Sequence, residues 1–146
     1  MQLINSIFNW FQKAVSEPKS KNIRSQMGCH FEEVAEMLLE LNSETEETET
    51  KLHNAYLAVH LLAVHLKETD GDLIVSSRVE LLDALCDQIV TATGVGYMYG
   101  MNLPDALDEV NKSNYSKFVN GEPIFNENLK IMKGPDYFIA NVKPFI

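Results

Sequence analysis

Carboxylates at helical spacing are the residues of this chain best placed to do chemistry. Glu33, Glu36 and Glu40 follow one another at steps of three and four, and so do Glu80, Asp83 and Asp87. On a helix each set forms one stripe. Beside each stripe runs an apolar arc: Phe31, Val34, Leu38 and Leu41 for the first, Leu82, Leu85 and Ile89 for the second. Packing of the two arcs would gather both stripes at the edge of the contact as a pocket of carboxylates. Most acidic stripes are plain solvated faces that mix signs. These two lack counter-charges: no Lys or Arg stands from Ser25 to Thr50, and none from Val79 to Asn111. Like pairs at i, i+4 cost a helix roughly what a Glu–Lys pair gains, ~0.2–0.5 kcal/mol. Divalent cations are the simplest compensation, and oxygen donors without Cys or His point to Mg²⁺ or Mn²⁺ rather than zinc.

The remaining composition is consistent with that chemistry. At 146 residues and 45% hydrophobic content the chain can bury a core, and one domain spanning 1–146 is expected. A net charge of −9 argues against a binder of nucleic-acid polymers. Residues 25–111 hold 3 Lys/Arg against 17 Asp/Glu, while 112–146 hold 5 against 3. The bases therefore gather towards the chain ends, as suits an anion carried by metal. Cys29 and Cys86 form no CxxC, which reads as free thiols in a reducing compartment. Residues 1–15 lack the basic start of a signal peptide, and no stretch approaches the ~18 apolar residues of a membrane span. A cytoplasmic protein with no membrane association is expected.

Five helices must position the acids. Leu3, Ile7, Phe8 and Phe11 predict one over 2–15, ending before Glu17-Pro18. Trp10 on that helix could stack on a nucleobase, although core packing is the commoner fate. Further helices are predicted over roughly 24–42, 51–67, 76–99 and 103–112. The run Ser43–Thr50 reads as an exposed acidic loop or a capped helix start. The 51–67 helix is apolar on two sides, with Leu52, Ala55, Tyr56, Val59, Ala63 and Leu66 on one and Leu57, Leu61 and Val64 on the other. Burial on both sides predicts a subunit interface, hence a homodimer or homotetramer. His53 and His60 share a face but lack the i, i+4 pairing of a helical zinc site. Gly94, Gly96 and Gly100 suit close helix contact and a C-terminal stop better than a phosphate loop. Asn120-Gly121 signals a type I′ hairpin, and Pro123, Pro135 and Pro144 predict an extended tail. The fold class is all-α: a helical bundle over about 2–112 with a short extended, hairpin-bearing tail over about 113–146.

These features resemble the MazG-like all-α nucleoside triphosphate pyrophosphohydrolases, whose superfamily includes phosphoribosyl-ATP pyrophosphohydrolase and the dimeric dUTPases. Glu32-Glu33-Val34-Ala35-Glu36 looks like the family's ExxE, and Asp83-Ala84-Leu85-Cys86-Asp87 stands where its second acidic motif falls. Asp108 to Lys117, DEVNKSNYSK, is similar to the EVxxSNMSK segment of the bacterial and phage branch. Gly121-Glu122-Pro123-Ile124, Lys130 and Lys133-Gly134-Pro135-Asp136-Tyr137-Phe138 resemble its GKPI…KVxKGPNYxxP ending. The likeness covers about 31–140. It departs at the second motif, usually ExxD, whose Glu would fall on Ala84; either Glu80 or Asp83 then takes that place.

The resemblance implies hydrolysis of an NTP or dNTP between the α and β phosphates, giving a monophosphate and pyrophosphate. Glu33, Glu36, Asp83 and Asp87 would be the catalytic metal ligands, with Glu80 or Glu40 in support. Lys112, Asn114, Lys117 and Lys133 would bind the substrate's phosphates and sugar. Two other classes are a MazG-like helical interaction protein with a degraded site, suggested by the shifted second motif, and an acidic decoy for a basic partner.

Overall fold

The computed structural model describes residues 2–125 and 131–146. Its elements are α1 (Gln2–Ala14), α2 (Ser20–Leu39), α3 (Glu46–Glu68), α4 (Arg78–Met98), α5 (Leu103–Tyr115) and a 3-10 turn over Lys143–Phe145. Among the described residues there is no sheet, only two isolated bridges, Val119 with Glu122 and Phe125 with Ile131. The chain is all-α. No helix among these residues is long and apolar enough to cross a membrane. The helices fall into two compact units, one formed by Glu17–Ile74 and the other by Met1–Ser16 with Val75–Ile146.

The Glu17–Ile74 unit is an antiparallel hairpin of α2 and α3. Arg24, near the start of α2, reaches Thr69 just past the end of α3. Its Nε–H donates to the Thr69 carbonyl at 2.8 Å, and Nη2 meets the Thr69 hydroxyl. This guanidinium is buried, so its hydrogen bonds offset a desolvation cost and pin the two helix ends together. Ala35, Ala63 and Leu66 are the buried apolar residues of the hairpin. Phe31, Val34, Leu38 and Leu41 of the expected α2 arc are half-buried.

Gly28 sets the closest approach of the two helices. A Cβ there would stand 2.9 Å from the Ala63 carbonyl oxygen and 2.7 Å from Lys67 Cγ. Gly28→Ala gains about 1 kcal/mol of helix propensity but incurs ~1–3 kcal/mol of overpacking against backbone. We expect a net loss of up to ~2 kcal/mol in urea unfolding. Gly94→Ala, with no atom within 4 Å of the added carbon, should gain up to ~1 kcal/mol. Equal effects at the two sites would refute the close-approach account.

Helix starts explain where the observed bounds depart from apolar periodicity. α2 begins at Ser20 rather than 24, because the Lys19 N–H donates to Asn22 Oδ1 at 3.0 Å and closes the first turn. The acidic run resolves as a capped start. Thr45 Oγ1 accepts from the Thr48 N–H, and the Ser43 N–H donates to Glu49 Oε2. Glu46, Glu47 and Glu49 then occupy the first turn of α3, where the helix dipole favours acids. On α3, Leu57 and Leu61 are exposed and Val64 is half-buried. Tyr56 lies between His53 and His60, with ring centroids 6.5 Å and 5.5 Å away.

In the other unit α5 carries the packing. Trp10 Nε1–H donates to the Asn114 carbonyl at 2.9 Å, Tyr115 Oη–H to the Ser6 carbonyl at 2.9 Å, and Asn111 Nδ2–H to Ser6 Oγ at 2.9 Å. Trp10 also stacks on Phe118, centroids 5.6 Å apart and planes within 6°. These ties to α1 accompany an α5 that runs three residues past its expected end. α4 meets α5 where Gly96 abuts Leu103.

The tail folds back on α5. Ser113 Oγ–H donates to the Phe138 carbonyl, the Phe138 N–H to Ser116 Oγ, and the Asn102 N–H to the Phe145 carbonyl. The Asn120-Gly121 turn has φ of 53° and 81°, as type I′ requires, and Val119 and Glu122 exchange both backbone bonds. Two expected extended stretches are not extended. Pro135 sits in a turn closed by the Tyr137 N–H on the Gly134 carbonyl, and Pro144 lies in the 3-10 turn. In both places the fixed φ of proline suits a turn as well as it suits a strand.

Candidate functional site

The acidic stripes lie on regular helix except for Glu40, which stands at the C-cap just past the end of α2 at Leu39, short of the expected end at 42. Glu33 and Glu36 occupy the C-terminal half of α2, and Glu80, Asp83 and Asp87 the N-terminal half of α4. All five are exposed. Among the described residues no Lys or Arg forms an ion pair with Glu36, Glu80, Asp83 or Asp87; the pairs present include Lys13–Glu122, Lys51–Glu47, Lys67–Glu32 and Lys112–Asp108. Carboxylate oxygens without Cys or His suit a hard divalent cation. Among the described residues, however, no three His, Cys, Asp or Glu side chains converge as a metal-binding group.

Neighbouring carboxylates divide into different jobs. Glu32, adjacent to the stripe, is partly buried and bonded to Lys67 Nζ at 2.5 Å, so it ties α2 to α3. The signal for this lay in Lys67, the one Lys or Arg in the C-terminal half of α3. Glu80 lies in the first turn of α4, where Ser77 Oγ accepts from its N–H. Ser77 and Glu80 thus stand at the positions of a capping box, and the dipole alone gives an acid reason to be there. Asp83, one turn on, has no such role at the cap. Of these two, Asp83 is the carboxylate whose presence the fold explains less.

The tail residues expected to touch substrate are engaged within the protein. Lys112 Nζ is 2.7 Å from Asp108 Oδ2, and that hydrogen bond, with the aspartate's charge, holds the exposed ammonium above its ordinary pKa. Lys117 Nζ donates to Asn114 Oδ1 at 2.7 Å and lies 5.8 Å from the Trp10 ring centroid. Lys133 Nζ sits 4.5 Å from the Tyr137 ring centroid, a cation–π contact. The Ser113-Asn114-Tyr115-Ser116-Lys117 segment therefore seals α1, α5 and the tail together. Sequence alone ranked these residues by charge and hydrogen-bonding capacity, which are equally useful to a ligand and to a fold. Lys130 lies outside the described residues.

Comparison with models of known families, with curated proteins and with solved structures returns no match for this chain.

Proposed function

We propose that this chain is a cytoplasmic, homo-oligomeric, Mg²⁺- or Mn²⁺-dependent nucleoside triphosphate pyrophosphohydrolase. Its reaction is NTP or dNTP with water to the monophosphate and pyrophosphate. The observation that carries the reading is the pair of exposed acidic stripes, Glu33 and Glu36 on α2 and Asp83 and Asp87 on α4, without basic partners for Glu36, Asp83 or Asp87 among the described residues. These carboxylates would hold the metal, with Glu80 supporting from the start of α4. When bound, such a cation neutralises polyphosphate charge and makes a water nucleophilic near neutral pH. Lys112 and Lys133, both on the surface, would meet phosphate. Asn114 and Lys117 would act from the α5–tail junction that they also hold together.

The test is a panel of canonical and modified NTPs and dNTPs, incubated with Mg²⁺ and resolved by product. Monophosphate plus pyrophosphate is expected, and diphosphate plus orthophosphate overturns the reaction type. Thermal unfolding gives an independent reading. Mg²⁺ at about 100 times its Kd should add ~2.7 kcal/mol of stability. A weak, salt-like response from Na⁺ and Mg²⁺ alike would sink the metal.

One observation favours a second reading. Because no three metal-ligating side chains converge among the described residues, an interaction protein keeping the fold without the chemistry fits as well. It separates from the first by stability that ignores Mg²⁺ and by the absence of turnover on every nucleotide.

A further inference from the structure

Asn120-Gly121 reverses the chain, and the same pair carries two groups that can react with each other. The side-chain amide carbon of an asparagine is an electrophile within ring-closing reach of the next backbone nitrogen. A glycine at that next position has no Cβ to shield its nitrogen. Both residues are exposed, so water and hydroxide reach them. The reaction needs no other reagent. Base takes the Gly121 N–H proton, the nitrogen bonds to Asn120 Cγ, and the Cγ–NH2 bond breaks with loss of ammonia. Water then opens the succinimide, at one carbonyl to aspartate and at the other to isoaspartate.

The turn holds this chemistry off. Ring closure needs Cβ and the following nitrogen eclipsed about the Cα–C bond, a ψ of about −120°, whereas the first central residue of a type I′ turn has ψ of about +30°. Asn120 is that residue, with φ of 53°, followed by Gly121 at 81°. Rotation to the reactive angle breaks the turn. The Val119 N–H would leave the Glu122 carbonyl, 2.8 Å away, and the Glu122 N–H the Val119 carbonyl, 3.1 Å away. α1 adds a second hold. Lys13 Nζ donates to the Gly121 carbonyl at 3.0 Å and lies 3.9 Å from Glu122 Oε1. It thus grips the two residues that must swing away for the ring to close.

We propose that Asn120 is a site of spontaneous deamidation to aspartate and isoaspartate, kept closed by its turn and by Lys13, and opened when the turn comes away from α1. Isoaspartate carries an extra carbon in the main chain, which a two-residue turn cannot hold in register. The damage would reach the tail, because Val119 is packed against Gly134, where an added Cβ would stand 2.7 Å from Val119 Cγ2. The site is separate from the metal reading and uses none of Glu33, Glu36, Asp83 and Asp87.

The experiment incubates the full chain in mildly alkaline buffer, folded or unfolded in urea. It follows the Asn120 peptide by the exchange of NH2 for OH in its mass and by its isoaspartate content. The folded parent should react at least ~10-fold more slowly than the unfolded one, since local opening must precede ring closure. Folded Lys13→Gln should react roughly 2–5-fold faster than the folded parent, the factor that an exposed tie of this kind is worth. Lys13→Arg keeps a donor and should match the parent, and in urea all three should react alike. Equal rates for the folded and unfolded parent overturn the proposal. So does an unreactive Asn120 in urea, or a folded Lys13→Gln no faster than the parent.

Discussion

Glu36→Gln and Asp87→Asn are each expected to lower the proposed Mg²⁺-dependent pyrophosphate release by at least ~100-fold, since even partners that only orient metal ligands cost 10–100-fold when lost. Both substitutions keep side-chain shape and remove a charge from a stripe that carries like charges a turn apart. The metal-free variants should therefore be as stable as the parent or slightly more so, by a few tenths of a kcal/mol. Lost activity with retained or improved stability is the signature of charge kept for function. The same exchange at Glu46 or Glu47 should leave turnover unchanged, because these residues sit in the first turn of α3, in the capped acidic start. Between Glu80→Gln and Asp83→Asn, the second should lose more Mg²⁺ affinity, because Glu80 already has a place at the start of α4. Full activity in both Glu36→Gln and Asp87→Asn would return the stripes to plain solvated surface.

Trp10→Ala is expected to unfold or loosen the α1–α5–tail unit, lowering stability by ~3 kcal/mol or more. Large-to-small changes at Trp cost ~3–5 kcal/mol in full cores. Trp10 is half-buried, but it also loses its hydrogen bond to the Asn114 carbonyl and its stack on Phe118. Trp10→Phe keeps the stack and loses the bond, so its cost should be nearer ~1 kcal/mol. Circular dichroism during urea titration reads both, since the only Trp is absent from the variants. Should Trp10→Ala cost under ~1 kcal/mol while nucleotide affinity falls, the indole would belong to the ligand and not to the fold.

The Lys112, Asn114 and Lys117 segment shows how the two levels of reading diverge. Its residue types suit phosphate recognition, and nothing local says otherwise. What places Asn114 and Lys117 inside the fold is Trp10, over a hundred residues away in sequence, whose indole N–H takes the Asn114 carbonyl. Charge and hydrogen-bonding capacity are properties of a residue; which partner uses them depends on contacts that sequence spacing does not encode.

By itself the sequence determined the class of fold, because helical periodicity, caps and glycine turns are local. The spacing of Leu3, Ile7 and Phe11 specified α1, and Thr45 and Ser77 stand at helix N-caps. Asn120-Gly121 specified its turn to the residue, since both positions need positive φ. The acidic stripes were legible for the same reason: three- and four-residue steps suffice to place side chains on one face. Only the tertiary structure decided which charges are spoken for. Nothing in the local sequence singles out Glu32 for an ion pair, and it is the approach of Lys67 from α3, permitted by Gly28, that supplies one. That approach depends on how closely two helices pack, a quantity set by a missing Cβ and a buried guanidinium acting together.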